Sequence, residues 1–458
     1  MSAMLLEPLL DAWPDRPVEP TELVLRAGSP GPLQDRAVAI LAATLEAPDR
    51  ANPLMRRMFR KDRAFGSKDR GLAKEVLVQV YRARRALERG LRAGGWDGAR
   101  QPEALWLASL VHTQGLPAEV AAHSYGAACF APLEDLAAAL RAWAAAEAPS
   151  PAQQLACVAS LPLWLAEDWV AQLGADGAAA LMIAQNQRAP LSLRANRGLT
   201  DPEGLCAALA EDGITAEPAR WTPDGVTALG PANLRVTQAF KQGLFEMQDE
   251  GSQLITELVQ PPRRALVVDF CAGAGGKSLA IAASLPRGSR VVGFDVRQAA
   301  LDQGRRRAHR ARVSDRVRFE RIGEEGPLPV EPGAAARVLV DAPCSGTGTL
   351  RRSPALRERL TLERIAALQQ IQARILARAA PLVRSGGRLI YATCSLLRQE
   401  NEDTFAAFLA DNPDFSPVDV KEILGSARAA ALSEGGALKL LPHVHGTDGF
   451  FAAVAQRR

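Results

Sequence analysis

The chain has 458 residues, nearly half of them hydrophobic, which is too long for one core and suggests two or three domains. A net charge of +4 and a pI near 8.8 lean basic, so a nucleic-acid partner is permitted without being required. The six cysteines (Cys129, Cys157, Cys206, Cys271, Cys344 and Cys394) are widely spaced with no C-x-x-C pair, which argues against a zinc site or a disulfide framework.

The opening "MSAMLLEPLLDAWPD" carries no basic stretch ahead of its apolar residues, so it does not read as a signal peptide. No uncharged apolar run is long enough to span a bilayer, and a cytoplasmic protein is expected. From about Leu33 to Ala148 the pattern is helical. "QDRAVAILAATLEA" puts Ala37, Ile40, Leu41 and Leu45 on one face, and "KDRGLAKEVLVQVYRARRALERGL" repeats that spacing. Arginines gather in "RRMFRKDR" (Arg56 to Arg63), in "YRARRALERGLR" (Tyr81 to Arg92) and again in "GRRRAHRARVSDRVR" (Gly304 to Arg318). Each run suits a phosphate-binding surface, and each suits a solvated helix face equally well.

"APSPAQQ", Ala148 to Gln154, reads as a linker. Beyond it "LPLWLAEDWVAQLG" and "AAALMIAQNQRA" predict two helices. "PLSLRANRG" and "NLRVTQA" predict strands around the helix "DPEGLCAALAEDGI". The expected division is therefore a helical bundle over 1–149, a small α+β connecting domain over 150–245, and a third domain over 246–458.

In that third segment strands and helices alternate. "RALVVDF", "RVVGFDV", "RVRFERI", "ARVLVDAPC" and "GRLIYATCS" predict a mostly parallel, doubly wound α/β sheet. Ligands on such sheets bind at the carboxyl ends of the strands, so the residues just after each apolar run carry the information. The first strand end is "DFCAGAGGKS", whose glycines Gly273, Gly275 and Gly276 allow a sharp turn and close backbone approach. It fits neither G-x-G-x-x-G nor a P-loop. Asp295 closes the second strand, where an acid can take both hydroxyls of an adenosine ribose, or can simply cap the next helix. NAD and S-adenosylmethionine both carry that ribose. "DAPCSGTG" and "YATCS" end the fourth and fifth strands, so Cys344 and Cys394 are expected to face one crevice.

Two thiols beside a nucleoside site point to chemistry on a base. Carbon 5 of cytosine is too poor a nucleophile to take a methyl group, and a thiolate adding at carbon 6 makes carbon 5 enamine-like. An NAD-linked oxidoreductase predicts G-x-G-x-x-G and has no use for this cysteine pair. A non-catalytic RNA-binding module predicts loss of Cys394 or Asp341, and both are present.

"QDEGSQL", "DFCAGAGGKS", "VVGFD", "VDAPCSGTGTLRRSP", "YATCS" and "LPHVHGTDGFF", in that order from Gln248 to Phe451, resemble the Sun/RsmB-type RNA cytosine-5 methyltransferases. The arginine-rich "FRKDRAFGSKDRGLAKEVLVQVYRARR" is similar to that family's NusB-like RNA-binding domain, and "PLWLAEDWVAQLG" through "PLSLRANR" to its connecting region. The resemblance implies a Rossmann-like catalytic domain using S-adenosylmethionine and acting on a cytosine of structured RNA. Domain order favours small-subunit ribosomal RNA, with transfer RNA as the alternative. It implies Cys394 as nucleophile and Cys344 as the residue assisting product release. Asp341 would lie by the cofactor and the target base, and Lys277 would face the reaction centre. The loop Cys271, Ala272, Gly273, Ala274, Gly275, Gly276 and Lys277 would wrap the cofactor, and Asp295 would hold its ribose. No metal and no membrane partner is implied, and a monomer is expected. The family usually has proline where this chain has Ala274, and the acid expected near the adenine after the third strand is absent from its usual place. Glu324 or Glu325 follow slightly late.

Overall fold

The computed structural model describes residues 6–13, 17–61 and 65–458. The first five residues of the opening stretch, and Asp62 and Arg63 at the end of "RRMFRKDR", lie outside them. The chain divides into two compact units, Met1–Arg188 with Leu350–Thr361 and Ala189–Thr349 with Leu362–Arg458. The expected division and this one differ over residues 150–188 and over Leu350–Thr361, both of which belong to the helical unit.

The first unit is helical throughout its described residues. Its longest helix, Ser67–Ala93, buries Ala73, Val76, Leu77, Val80, Leu87 and Leu91, the three-four spacing of an amphipathic stripe. Against it packs Gln101–Gln114, whose Leu105, Trp106, Leu107 and Leu110 are all fully buried, so that this helix lies inside the bundle. The arginines of "YRARRALERGLR" do not all face outward. Arg84 pairs with Glu88 at 2.9 Å and Glu358 at 2.6 Å, and Arg89 lies 4.2 Å over the Trp143 ring while pairing with Glu147 at 3.0 Å. Arg85 and Arg92 stay exposed.

"APSPAQQ" is not a linker. Ser150 caps a helix, Pro151–Val158, with its hydroxyl accepting from the Gln153 N–H at 3.3 Å while the Gln153 side chain accepts from the Ser150 N–H at 2.8 Å. That is a capping box with proline in the first turn, where its missing N–H costs nothing. The helical stretch Leu163–Asn186 breaks at Gly174, whose φ of 69° is left-handed, giving the two expected helices.

The second unit holds two sheets. In the smaller, β1 (Leu191–Ala195), β2 (Ala216–Pro218), β3 (Gly225–Ala228) and β4 (Phe245–Met247) run antiparallel in the order β2-β3-β1-β4. Leu193, Val226 and Phe245 pack there with Leu205 and Leu209 of the helix Pro202–Glu211. "NLRVTQA" is not a strand. Leu234–Val236 is a tight turn, and the Thr237 hydroxyl caps the next helix by accepting from the Phe240 N–H at 3.1 Å.

The larger sheet contains β5 (Leu266–Asp269), β6 (Arg290–Asp295), β7 (Val317–Arg321), β8 (Ala335–Asp341), β9 (Val383–Thr393), β10 (Phe415–Val418), β11 (Ser433–Glu434), β12 (Ala437–Leu440) and β13 (Phe450–Arg457). Its order is β11-β12-β13-β9-β8-β5-β6-β7, with β10 on β13. The five strands β7-β6-β5-β8-β9 are parallel, and the other four are antiparallel additions. The sheet is therefore mixed rather than mostly parallel. Alternate residues enter opposite cores: Val267, Val291, Leu339 and Ile390 on one face, Val268, Val292, Val338 and Tyr391 on the other. Burial on both faces explains why these strands read as unbroken apolar runs.

Candidate active site

The chain leaves β5 toward β6 and β7 on one side, and toward β8 and β9 on the other. The switch point therefore lies between the carboxyl ends of β5 and β8, where a doubly wound sheet opens a crevice. The candidate residues Cys271 to Lys277, Asp295, Asp341, Cys344 and Cys394 lie at the carboxyl ends of β5, β6, β8 and β9, in the turns that follow, or, for Gly276 and Lys277, in the first turn of the helix after β5.

After β5 the chain turns through Gly273 (φ 54°) and Gly275 (φ 79°) into the helix Gly276–Ser284. A Cβ on Gly275 would sit 2.6 Å from the Phe319 ring, so both conformation and space require glycine there. The Ala272 N–H donates to the Phe294 carbonyl at 2.7 Å, and the Ala274 carbonyl accepts from Arg307 at 2.8 Å. Arg307 and Arg310 in turn grip the buried Glu246, so the arginine run after β6 braces the loop. Burial pushes the Cys271 thiol up, keeping it in the unreactive neutral form.

Asp295, at the end of β6, accepts from the Gly273 N–H at 2.8 Å, from the Arg297 N–H at 2.8 Å and from the Arg297 guanidinium at 3.0 and 3.1 Å. Burial opposes its charge, and these bonds outweigh burial, holding its carboxyl below the usual range. Asp295 thus ties the glycine loop to β6 while its carboxylate remains at the crevice.

Lys277 Nζ pairs with Asp341 at 2.6 Å, bringing the ends of β5 and β8 together. Burial works against the lysine charge and Asp341 more than compensates, raising the ammonium above its usual range. The same ammonium lies 5.7 Å from the Phe450 ring centre. Beneath this pair, fully buried Asp269 accepts from the Ser278 hydroxyl at 2.6 Å through one oxygen and has no partner on the other. Burial drives its carboxyl up to about 7.

Cys344 Sγ and Cys394 Sγ are 3.3 Å apart, both reduced and both half-buried. Pairing of β8 with β9 sets Asp341 beside Ala392, which carries the two following turns together. The Gly348 N–H then donates to the Cys394 carbonyl at 2.9 Å, and the Leu396 N–H to the Thr347 hydroxyl at 2.8 Å. The Cys344 thiol is pushed well above its usual range, first by its bond to Cys394 and then by burial.

Sequence reasoning passed over several residues here. Gly348 and Gly449 meet backbone to backbone: a Cβ on Gly348 would be 2.1 Å from the Gly449 carbonyl oxygen. Asp249 accepts from the Gly251 and Asp448 N–H groups, joining "QDEGSQL" to "HGTDGFF". Glu400 is fully buried behind the cysteines. A charged residue six places after the Thr-Cys pair was the one available signal for it. Glu324 and Glu325 lie on an exposed turn whose carbonyls at 323, 324 and 326 accept from Arg378. Among the described residues no cluster of three or more metal-ligating side chains occurs, and no helix is long and apolar enough to cross a membrane.

A family model described as 16S rRNA methyltransferase RsmB/F matches residues 256–456, and one described as an RsmF/B-like ferredoxin-like domain matches 161–235. The chain is 31% identical over 312 residues to the probable ribosomal RNA small subunit methyltransferase B of Bacillus subtilis, covering 67% of this chain and 69% of that protein. It is 30% identical over 280 residues to ribosomal RNA small subunit methyltransferase B of Photorhabdus laumondii, covering 61% and 62%. The matched stretch thus spans about two thirds of these relatives' length. The crystal structure of PH0851 shares the fold over 94% of this chain and 99% of that one, with a TM-score of 0.73 at 23% identity. A methyltransferase homolog protein from Pyrococcus horikoshii covers 65% of this chain and 95% of its own, with a TM-score of 0.55 at 26% identity.

Proposed function

The chain belongs to the RsmB/F family of 16S rRNA methyltransferases, and from that premise we propose that it methylates carbon 5 of a cytosine in small-subunit ribosomal RNA. The observation that carries the chemistry is the pair of thiols 3.3 Å apart at the ends of adjacent parallel strands. A single methyl transfer to a nitrogen or oxygen has no need of two such sulfurs.

S-adenosylmethionine is the cofactor of this reading, and it supplies an electrophilic methyl group. The residues present fit it: a glycine turn that a single Cβ would fill, an acid at the end of β6 and a buried lysine–aspartate pair at the switch point. Cys271 to Lys277 would wrap it and Asp295, now bonded to Arg297, would take its ribose hydroxyls. Asp341 and Lys277 then face the methyl-donor end and the target base.

Cys394, as thiolate, adds to carbon 6 of the cytosine and moves the electron pair of the 5,6 double bond onto carbon 5. Carbon 5, now nucleophilic, would take the methyl group as the donor's sulfonium carbon–sulfur bond breaks, leaving a neutral thioether. Loss of the carbon-5 proton to solvent would regenerate the double bond and expel Cys394 as thiolate. Cys344, in contact with Cys394 and holding its proton, assists that release. The target base must leave its stack to expose carbon 6. Residues 1–149, read as a NusB-like bundle, would meet RNA phosphates through arginines that remain exposed, such as Arg85 and Arg92. The small sheet is read as the connecting domain within 150–245, and 246–458 as the catalytic domain.

Bisulfite sequencing of ribosomal and transfer RNA from a deletion strain tests the target. One small-subunit rRNA cytosine should lose its mark; a loss confined to transfer RNA would move the target, and no loss would remove the reaction. Cys344→Ala tests the division of labour. It should leave protein and RNA covalently joined through a denaturing gel, whereas free methylated RNA with no slow band would end that role for Cys344.

A further inference from the structure

Behind the two sulfurs lies a symmetric arrangement that the reaction above does not use. Each cysteine is followed by a serine, and both serines turn away from the crevice into the protein. The Ser345 and Ser395 hydroxyls are 3.1 Å apart, echoing the 3.3 Å between the sulfurs. Both hydroxyls donate to one carboxylate, that of Glu400: Ser395 at 2.6 Å and Ser345 to the same oxygen. The other oxygen of Glu400 accepts from the Ser345 N–H at 2.9 Å and from the Gln372 amide at 3.0 Å. Gln372 also donates to the carbonyl of Pro343, the residue just before Cys344.

Glu400 is completely buried, and all four of its donors are neutral. Burying a carboxylate with no cation beside it is costly, and neutral donors repay only part of that cost. A glutamine or a hydrophobic residue would fill the space more cheaply. What a carboxylate alone supplies is acceptor capacity for four donors drawn from both turns at once, together with a fixed negative charge behind the thiols.

We propose that Glu400 is a positioning residue that holds Cys344 and Cys394 in sulfur contact and places a negative charge behind Cys344. The inference rests on the functional reading above, in which Cys394 attacks and Cys344 assists release. The groups facing the pair divide by sign. The carboxylate of Glu400 stands on the Cys344 side, and the ammonium of Lys277 on the Cys394 side. Negative charge behind Cys344 disfavours a thiolate there. Tyr391 reinforces the geometry, since its hydroxyl donates to the Glu400 carbonyl at 2.6 Å.

The test uses the full chain and two variants. In Glu400→Gln the shape is kept and the charge removed, and the serine hydroxyls can rotate to meet the new amide. Ser395→Ala keeps the charge and cuts one tether. The first readout is alkylation by iodoacetamide, followed separately at Cys344 and Cys394 by peptide mass spectrometry, with no RNA or cofactor present. In the parent protein Cys394 should label faster. In Glu400→Gln, Cys344 should label about tenfold faster relative to Cys394, the change expected when a thiol pKa falls by about one unit. The second readout is methylation kinetics, where kcat should fall about tenfold or more in both variants with KM for RNA and cofactor unchanged. A folded Glu400→Gln protein with an unaltered labelling ratio would overturn the inference. Should that variant not fold, Ser395→Ala decides: an unchanged kcat there overturns the inference equally. The labelling readout does not depend on the substrate. If the deletion strain loses no RNA mark while the ratio still shifts, the functional reading fails and the thiol geometry stands.

Discussion

The two halves of the crevice are built by different means. At the ends of β5 and β6 the shape is made by main chain: a glycine turn in the left-handed region, a backbone N–H on Asp295 and a carbonyl held by Arg307. At the ends of β8 and β9 it is made by buried side chains, with serines, a threonine, a glutamine and Glu400 bonded to one another behind two cysteines. A loop that closes on a flexible cofactor gains from glycines, whose backbone comes close without a Cβ in the way. Two sulfurs that must act on one carbon need their separation fixed to a fraction of an ångström, and a fully bonded polar network sets it.

That contrast can be broken experimentally, most severely at the sulfurs. Cys394→Ala should lower methyl transfer at least about a thousandfold and form no covalent RNA adduct, while cofactor affinity measured by calorimetry stays near that of the parent. Weakened cofactor binding in that variant would mean the two halves are not separable.

On the cofactor side, Gly275→Ala should cost about 2–3 kcal/mol, the strain of a left-handed alanine plus a Cβ pressed into Phe319, seen as a lower Tm and lost cofactor binding. Adding Phe319→Leu should recover the packing part only. Full recovery would show that space, not backbone conformation, requires the glycine. Asp295→Asn removes a charged acceptor with little change of shape. Cofactor affinity should weaken about tenfold or more with kcat at saturating cofactor unchanged. A fall in kcat alone would move Asp295 to the other half.

Asp269 lies beneath both halves. Its carboxyl titrates near 7 in the folded chain against an ordinary 3.8, so between those pH values the folded state holds more protons than the unfolded one. Stability should therefore fall as pH rises from about 4 to 7, by on the order of 1–4 kcal/mol. Asp269→Asn should flatten that slope in urea titrations at pH 5, 6 and 7.5. An unchanged slope would mean that the buried carboxyl titrates near its ordinary value.

How much of this could be read in the residues follows from distance along the chain. The apolar runs of β5, β6, β7, β8 and β9 are local, and so are the turns after them, so the strand ends carrying "CAGAGGKS", Asp295, Cys344 and Cys394 were legible. Helix caps were harder. "APSPAQQ" looked like a linker because two prolines interrupt its periodicity, although Ser150 and Gln153 form a capping box there. The run "GRRRAHRARVSDRVR" looked like a charged surface, yet Arg307 and Arg310 turn inward because Glu246, some sixty residues earlier, lies under them. Among the antiparallel strands, β10, β11 and β12 were missed because they are short and bounded by residues that also suit turns.

By itself, then, the sequence determined the alternation of strands and helices, the switch-point crevice such alternation makes, and which residue types arrive there. Those depend on period, apolar run length and turn chemistry, which act within a few residues. Only the tertiary structure decided that the two sulfurs touch across 50 residues of chain, that Lys277 reaches Asp341 across 64, and that Glu400 ties the Cys344 turn, 55 residues away, to the Cys394 turn beside it. Hydrogen bonds in a buried network are set by which strands pair and in what register, and no local pattern carries that register.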